Sequence, residues 1–157
     1  MAGGKPQAID ITTLGLPQLT QLKQQLDQEI DLFGTSLQQL KIAQTKYQES
    51  GECVEKLIPE TEGKEMLVPL TTSMYVPGNI VDVNKVIVDI GTGYFVEKDI
   101  PSAKDYFKRK INFVTQQMEK IQRLANEKIT MRDAVIEIME GKLQATLAAQ
   151  QMAAPKS

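Results

Sequence analysis

The sequence predicts a mainly α protein with a small β region: a long antiparallel two-helix coiled coil whose helices are joined by two consecutive β-hairpins. Three observations carry this reading. Two long segments rich in Gln, Lys and Glu each bear one narrow apolar stripe, with steps of three or four residues. Between them, from Met66 to Lys98, the apolar period drops to two. Aromatics are only 5% of the 157 residues and Trp is absent, so a compact core built on large rings is not available.

Residues 1–15 are polar and Gly-containing and read as a mobile end. The first helix is expected over 16–58. Pro17 suits a first turn, where its missing N–H would be unpaired anyway. The stripe runs through Leu19, Leu22, Leu26, Ile30, Phe33, Leu37, Leu40 and Tyr47. The consecutive steps of four at Leu22, Leu26 and Ile30 shift the heptad phase locally. Gly34 lies inside the helix at a cost of about 1 kcal/mol relative to Ala. Pro59 disfavours helical geometry in the residue before it and so ends the helix near Ile58.

The hairpin region is expected over 64–98, with strands near Met66–Leu70, Tyr75–Val81, Val86–Ile90 and Tyr94–Glu97. "VPGN" has the Pro-Gly preference of a type II turn, or marks a bend or bulge within a strand. "GTG", Gly91 to Gly93, reads as a short hairpin loop. Pro69 belongs at an edge or bulge, because it has no N–H to donate. The second helix is expected over 99–150, opened by Asp99 as a cap with Pro101 in the first turn. Its stripe runs through Phe107, Ile111, Val114, Met118, Ile121, Ala125, Ile129, Val135, Met139 and Leu143, interrupted by Lys128 and Arg132. Residues 151–157 read as a second mobile end.

Neither helix has a second apolar face, so each is expected to cover the other's stripe. The hairpins cannot satisfy themselves in the same way. "VIVDI" is apolar on both faces apart from Asp89, and isolated hairpins with open edges are marginal in water. Other chains must complete the sheet, which makes the region an oligomerisation platform.

Several function classes are excluded by residue type. There is no His, so the usual acid–base residue near neutral pH and the main metal ligand are both missing. A single Cys, Cys53, without His excludes the common nucleophile pair and any zinc site built from several Cys or His. Glu60 and Glu62 read as a solvated loop. "GTG" is followed by a strand rather than a helix, which argues against phosphate cradling. No catalytic, metal or cofactor residues are assigned, and the chain is not expected to be an enzyme. A net charge of −2 argues against nucleic acid or anionic membrane as a partner. The basic run Lys108 to Lys110 reads as the outer face of the coil, with an acidic partner surface as the alternative. No stretch approaches the roughly 20 apolar residues of a membrane span. "MAGGKPQ" lacks the apolar run of a signal peptide, and the lone Cys fits a reducing compartment. The cytoplasm is the expected location, with the nucleus left open.

"GKEMLVPLTTSMYVPGNI" followed by "VIVDIGTGYFVEKD" closely resembles the α-class subunits of the prefoldin family. The motif match covers about thirty residues, and the helix–hairpins–helix layout extends it to the whole chain as a single subunit, 1–157. The resemblance implies a heterohexamer of two α-class and four β-class subunits, whose hairpins complete a shared β-barrel from which the coils hang. It also implies an ATP-independent holdase that captures unfolded proteins, notably actin and tubulin, and passes them to the cytosolic group II chaperonin. The interface is expected at Leu67, Val68, Leu70, Tyr75, Val76, Ile87, Val88, Ile90 and Tyr94. Client contact is expected at the ends of the coils, through Leu14, Leu16, Leu19, Leu22, Met139, Leu143, Leu147 and Met152. A coiled-coil adaptor that tethers a folded regulatory partner outside the hexamer is the alternative reading.

Overall fold

The computed structural model describes residues 10–153. The elements follow in the order α1 (Leu16–Glu55), β1 (Glu65–Pro69), β2 (Tyr75–Asn79), β3 (Lys85–Gly91), β4 (Tyr94–Asp99) and α2 (Ile100–Ala153). Short 3-10 turns lie at Ile11–Thr13 and Pro59–Thr61. Two compact units divide the chain, each using part of both helices. A terminal unit lies within Met1–Gln38 and Glu119–Ser157, and a hairpin unit spans Gln39–Met118.

In the terminal unit the two stripes meet at Leu19, Leu26 and Val135, all buried, with Ile11, Leu14, Leu22, Ile138 and Met139 packed around them. The polar interruptions in the stripe have partners across the helix pair. Lys128 Nζ lies 2.6 Å from a Glu29 carboxylate oxygen, and Arg132 reaches Asp27 at 3.9 Å while bonding Asp133 at 2.8 Å. Such half-exposed pairs add little stability. They do fix which turn of one helix faces which turn of the other, because a slip would bring unmatched charges to the seam. Donation from Lys128, and secondarily from Gln25, holds the Glu29 carboxyl below its ordinary value of 4.5.

In the hairpin unit the buried cluster is Val54 of α1, Val88 of β3, and Ala103, Tyr106 and Phe107 of α2, with Tyr47, Val86 and Ile100 against it. Tyr106 and Phe107 meet edge to face at 5.4 Å, and the Lys98 and Lys110 ammoniums lie over the Tyr106 ring at 5.8 and 5.5 Å. Gln44 Nε2 donates to Thr115 Oγ1 at 2.7 Å, a polar rung between the helices. Asp99 caps α2 as expected. Its carboxyl is held below its ordinary value, chiefly by the neighbouring Ser102 side chain and further by the Ser102 backbone.

Each hairpin is a separate two-stranded antiparallel sheet. "VPGN" is not a turn. Pro77 and Gly78 sit inside β2, opposite Leu67 and Met66, and Gly78 has no positive φ. A Cβ at Gly78 would come within 3.2 Å of Val68 Cγ2, so glycine answers cross-strand crowding rather than turn geometry. The β1–β2 reversal falls instead at Leu70–Met74, where Leu70 N–H donates to Met74 O at 2.9 Å. "GTG" is the loop of the second hairpin. Thr92 and Gly93 have φ of 53° and 80°, the paired positive values of a two-residue I′-type loop. Beside it the register slips between Asp89 and Gly91, leaving Ile90 as the extra residue, and the Asp89 carboxylate accepts the Gly91 N–H at 2.8 Å.

Four boundaries differ from expectation. Helix α1 ends at Glu55 rather than 58. Lys56 and Leu57 close a tighter last turn onto Cys53 and Val54, and Ile58 is extended, as the following proline requires. Residues 10–15 form the Ile11–Thr13 turn packed on the seam instead of a loose end. Helix α2 runs to Ala153, past the expected 150, because the alanine-rich run has high intrinsic helix propensity. The strands span 65–69, 75–79, 85–91 and 94–99, shifted by one or two residues from the alternation pattern. The rest of both expected mobile ends, 1–9 and 154–157, lies outside the described residues.

Folding depresses the Glu29 carboxyl, so its stabilising contribution is complete above its unfolded value of 4.5 and is lost as pH falls through the lower folded value. A melting profile followed by circular dichroism is expected to drop below that pH, and Glu29→Gln to flatten part of the drop. Identical profiles would show that the pair with Lys128 does not contribute.

Candidate functional site

The residues left uncovered define two candidate binding surfaces, one on the hairpins and one at the helix ends. Most of the large apolar side chains exposed among the described residues lie between Met66 and Val96. On the second hairpin the alternation of β3 decides which are free. Val86 and Val88 point at the helices, and Ile87 and Asp89 point away, opposite Glu97 and Phe95. Ile87 is 72% exposed and Val88 only 5%. Val88, expected at the interface, is therefore a residue of the chain's own core. A strand with one face already buried has only the other to offer.

The other expected interface residues are exposed: Leu67, Val68, Leu70, Tyr75 and Val76 on the first hairpin, and Ile87, Ile90 and Tyr94 on the second. The reading from sequence missed Met66, Met74, Val81, Phe95 and Val96, also exposed and apolar. Phe95 had a signal, since it follows Tyr94 in a run that puts adjacent aromatics on opposite faces.

The open edges are partly blocked by prolines. The bonds from Leu70 N–H to Met74 O and from Ile80 N–H to Lys64 O fix the pairing phase of the first hairpin. By alternation Leu67↔Pro77 and Pro69↔Tyr75 are non-hydrogen-bonded pairs, whose backbone groups face outward. Pro69 and Pro77 remove one outward donor from each edge. Leu67 on β1 and Tyr75 on β2 keep theirs. Below them Gly63, at φ 76°, forms a bulge in which Gly63 N–H donates to Ile80 O at 2.7 Å.

At the helix ends the expected client residues separate by cover. Leu19 is fully buried in the seam, so it cannot meet another chain while the helices stay paired. Leu14, Leu22 and Met139 are half-buried against the same cluster. Leu16, Met139 and Leu143 line a cleft of about 360 Å³ with Thr20, Lys23, Ile136 and Glu140. Leu147 is exposed, and Met152 is 90% so. Met131, also exposed, was not anticipated. It lines a larger cleft of about 640 Å³ that Leu14 and Leu22 also border.

The family described as Prefoldin subunit matches residues 26–145. Prefoldin subunit 5 from Homo sapiens is 57% identical over 138 residues, covering 88% of this chain and 90% of the human one. A probable prefoldin subunit 5 from Drosophila melanogaster is 42% identical over 156 residues, covering 98% and 93%. Among solved structures, a chain of the filamentous PFD from Methanocaldococcus jannaschii, determined by cryo-EM, superposes with a TM-score of 0.67 at 18% identity. That match covers 74% of this chain and 97% of the archaeal one, and shows the shared fold.

The two faces of β3 give opposite expectations for one substitution. Val88→Asp places an unpaired charge in the chain's own core, at a cost of about 3 kcal/mol or more, and is expected to unfold the hairpin unit. Ile87→Asp is expected to leave circular dichroism and melting nearly unchanged and to stop co-elution with partner subunits. Normal co-elution of Ile87→Asp would remove the outer face of β3 from the interface.

Proposed function

The chain belongs to the prefoldin family, and from that premise we propose that it acts as an α-class subunit, of the eukaryotic subunit 5 type, in an ATP-independent heterohexameric holdase. Its hairpins join those of other α- and β-class subunits in a shared β-barrel. The assembly holds non-native proteins, actin and tubulin among them, and passes them to the cytosolic group II chaperonin. The work is binding rather than chemistry, with no cofactor, and its setting is the cytoplasm.

One observation carries the reading. In a chain this similar to prefoldin subunits, both hairpins leave apolar side chains and strand edges uncovered. Isolated two-stranded sheets of that kind are marginal in water and are satisfied by further strands. The exposed apolar residues at the end of α2 support the client half of the reading, because flexible methionine accommodates partners of varied shape.

Native mass spectrometry of the tagged chain, purified from its own cells, is expected to give a six-chain complex of mixed subunits. A lone monomer or homodimer would overturn the assembly. The reconstituted hexamer is expected to suppress aggregation of several unrelated unfolded proteins without ATP. A regulatory adaptor would instead bind one folded partner and fail that assay. Leu147→Ser combined with Met152→Ser removes two open apolar contacts of about 1 kcal/mol each, and is expected to weaken client holding by about 30-fold with assembly intact. Holding equal to wild type would exclude the end of α2 as a client surface.

A further inference from the structure

The segment Asp10–Leu14 is seated on the helix pair in a way that a client segment would reproduce. Ile11 and Leu14, three residues apart, pack against buried Leu19, Leu26 and Val135. Both also border the cleft of about 640 Å³, whose walls include Leu22, Leu26, Met131 and Val135. At its rim lie Gln25 and the Glu29–Lys128 ion pair. Two side chains do not fill such a space, and Met131 on its wall remains 56% exposed.

The hydrogen bonding of this segment is self-contained. Asp10 Oδ1 accepts from Thr12 N–H at 3.0 Å and from Thr12 Oγ1 at 2.6 Å. Asp10 O accepts from Thr13 N–H at 3.1 Å and from Thr13 Oγ1 at 2.7 Å, and Ile11 O accepts from Leu14 N–H at 3.4 Å. Among the described residues, none of the bonds made by 10–14 reaches the body of α1 or α2. The turn therefore holds its own shape and is attached to the helices by apolar contact alone. Lifting it off would leave no helix donor or acceptor unpaired, so it belongs to the parts of a fold that open locally at low cost.

We propose that the Ile11–Leu14 turn is the resident occupant of a client cleft on this subunit: a strap that covers the apolar seam when the cleft is empty and is displaced by an apolar segment of a non-native protein. The inference rests on the holdase reading and adds a regulation to it. The strap shields a surface that would otherwise promote self-association, and clients bind only to the fraction of subunits in which it is lifted.

The test uses the reconstituted hexamer with reduced, carboxymethylated α-lactalbumin as a permanently unfolded probe. Apparent affinity equals intrinsic affinity scaled by the open fraction, so an open fraction of about one tenth predicts about 10-fold tighter binding once the strap is disabled. Ile11→Ser with Leu14→Ser is expected to give that gain. Asp10→Ala, which removes the cap without touching an apolar side chain, is expected to give a smaller gain of the same sign. Met131→Ser is expected to weaken the probe in wild-type and strap-disabled hexamers alike. Unchanged or weaker binding by both strap variants overturns the strap and makes Ile11 and Leu14 seam or client residues. An unchanged affinity for Met131→Ser overturns the cleft as the site. A wild-type hexamer that fails to bind the probe overturns the holdase reading itself, and this one with it.

Discussion

Burial of Val88 against Val54, Ala103, Tyr106 and Phe107 is the constraint on which the hairpin unit depends. It joins one strand to both helices. Side chains of a strand alternate, so placing Val86 and Val88 inward sends Ile87 and Asp89 outward. The face that β3 can offer to another chain is thus fixed by a contact inside this chain. The pairing Val88↔Val96 carries the choice to β4, where Phe95 takes the outward position opposite Asp89. A one-residue slip would bury Ile87 and Asp89 and expose both valines, losing the cluster and desolvating a carboxylate.

A comparable division of labour holds in the terminal unit. Leu19, Leu26 and Val135 supply the cohesion of the seam. The charged positions that interrupt the stripe supply its alignment, through Glu29–Lys128 and Asp27–Arg132. Pairs this exposed contribute little to stability. A narrow apolar stripe is nearly as well buried after a slip of one heptad, so modest charge pairs are what distinguish the two arrangements.

The two stripes, the period change near Met66, the Asp99 cap and the Gly91–Gly93 loop were legible in the sequence because each rests on local spacing or on the chemistry of one residue. What was not legible depends on a partner distant in sequence. "VIVDI" is apolar on both faces, and only Val54 and Phe107, far along the chain, select Val88 for burial. Pro77-Gly78 carries a turn signature. The pairing with Leu67 and Met66 overrides it, and the close approach of Val68 explains the glycine. The breakdown of alternation at Ile90 follows from the bond between the Asp89 carboxylate and Gly91 N–H, which no periodicity encodes. At the helix ends, composition marked Leu19 and Met152 alike as apolar. Only packing separates a sealed side chain from an open one.

That graded cover has an energetic consequence for the proposed holdase, which holds and releases without nucleotide. Leu19 and Val135 are sealed, Leu22 and Met139 are half-covered, and Leu147 and Met152 are open. A half-covered side chain that completes its burial against a client gains about 1 kcal/mol. Three or four such contacts amount to about 4 kcal/mol, which corresponds to a dissociation constant near millimolar. One subunit alone would release any segment it captured. In the proposed assembly, several subunits on one body raise the effective concentration of each further contact, so a client is retained although every single contact is weak. In that proposal, release needs only that contacts be exchanged one at a time for those of an acceptor. A nucleotide cycle would be required if any one contact were strong, and the partial cover of the seam keeps each of them weak.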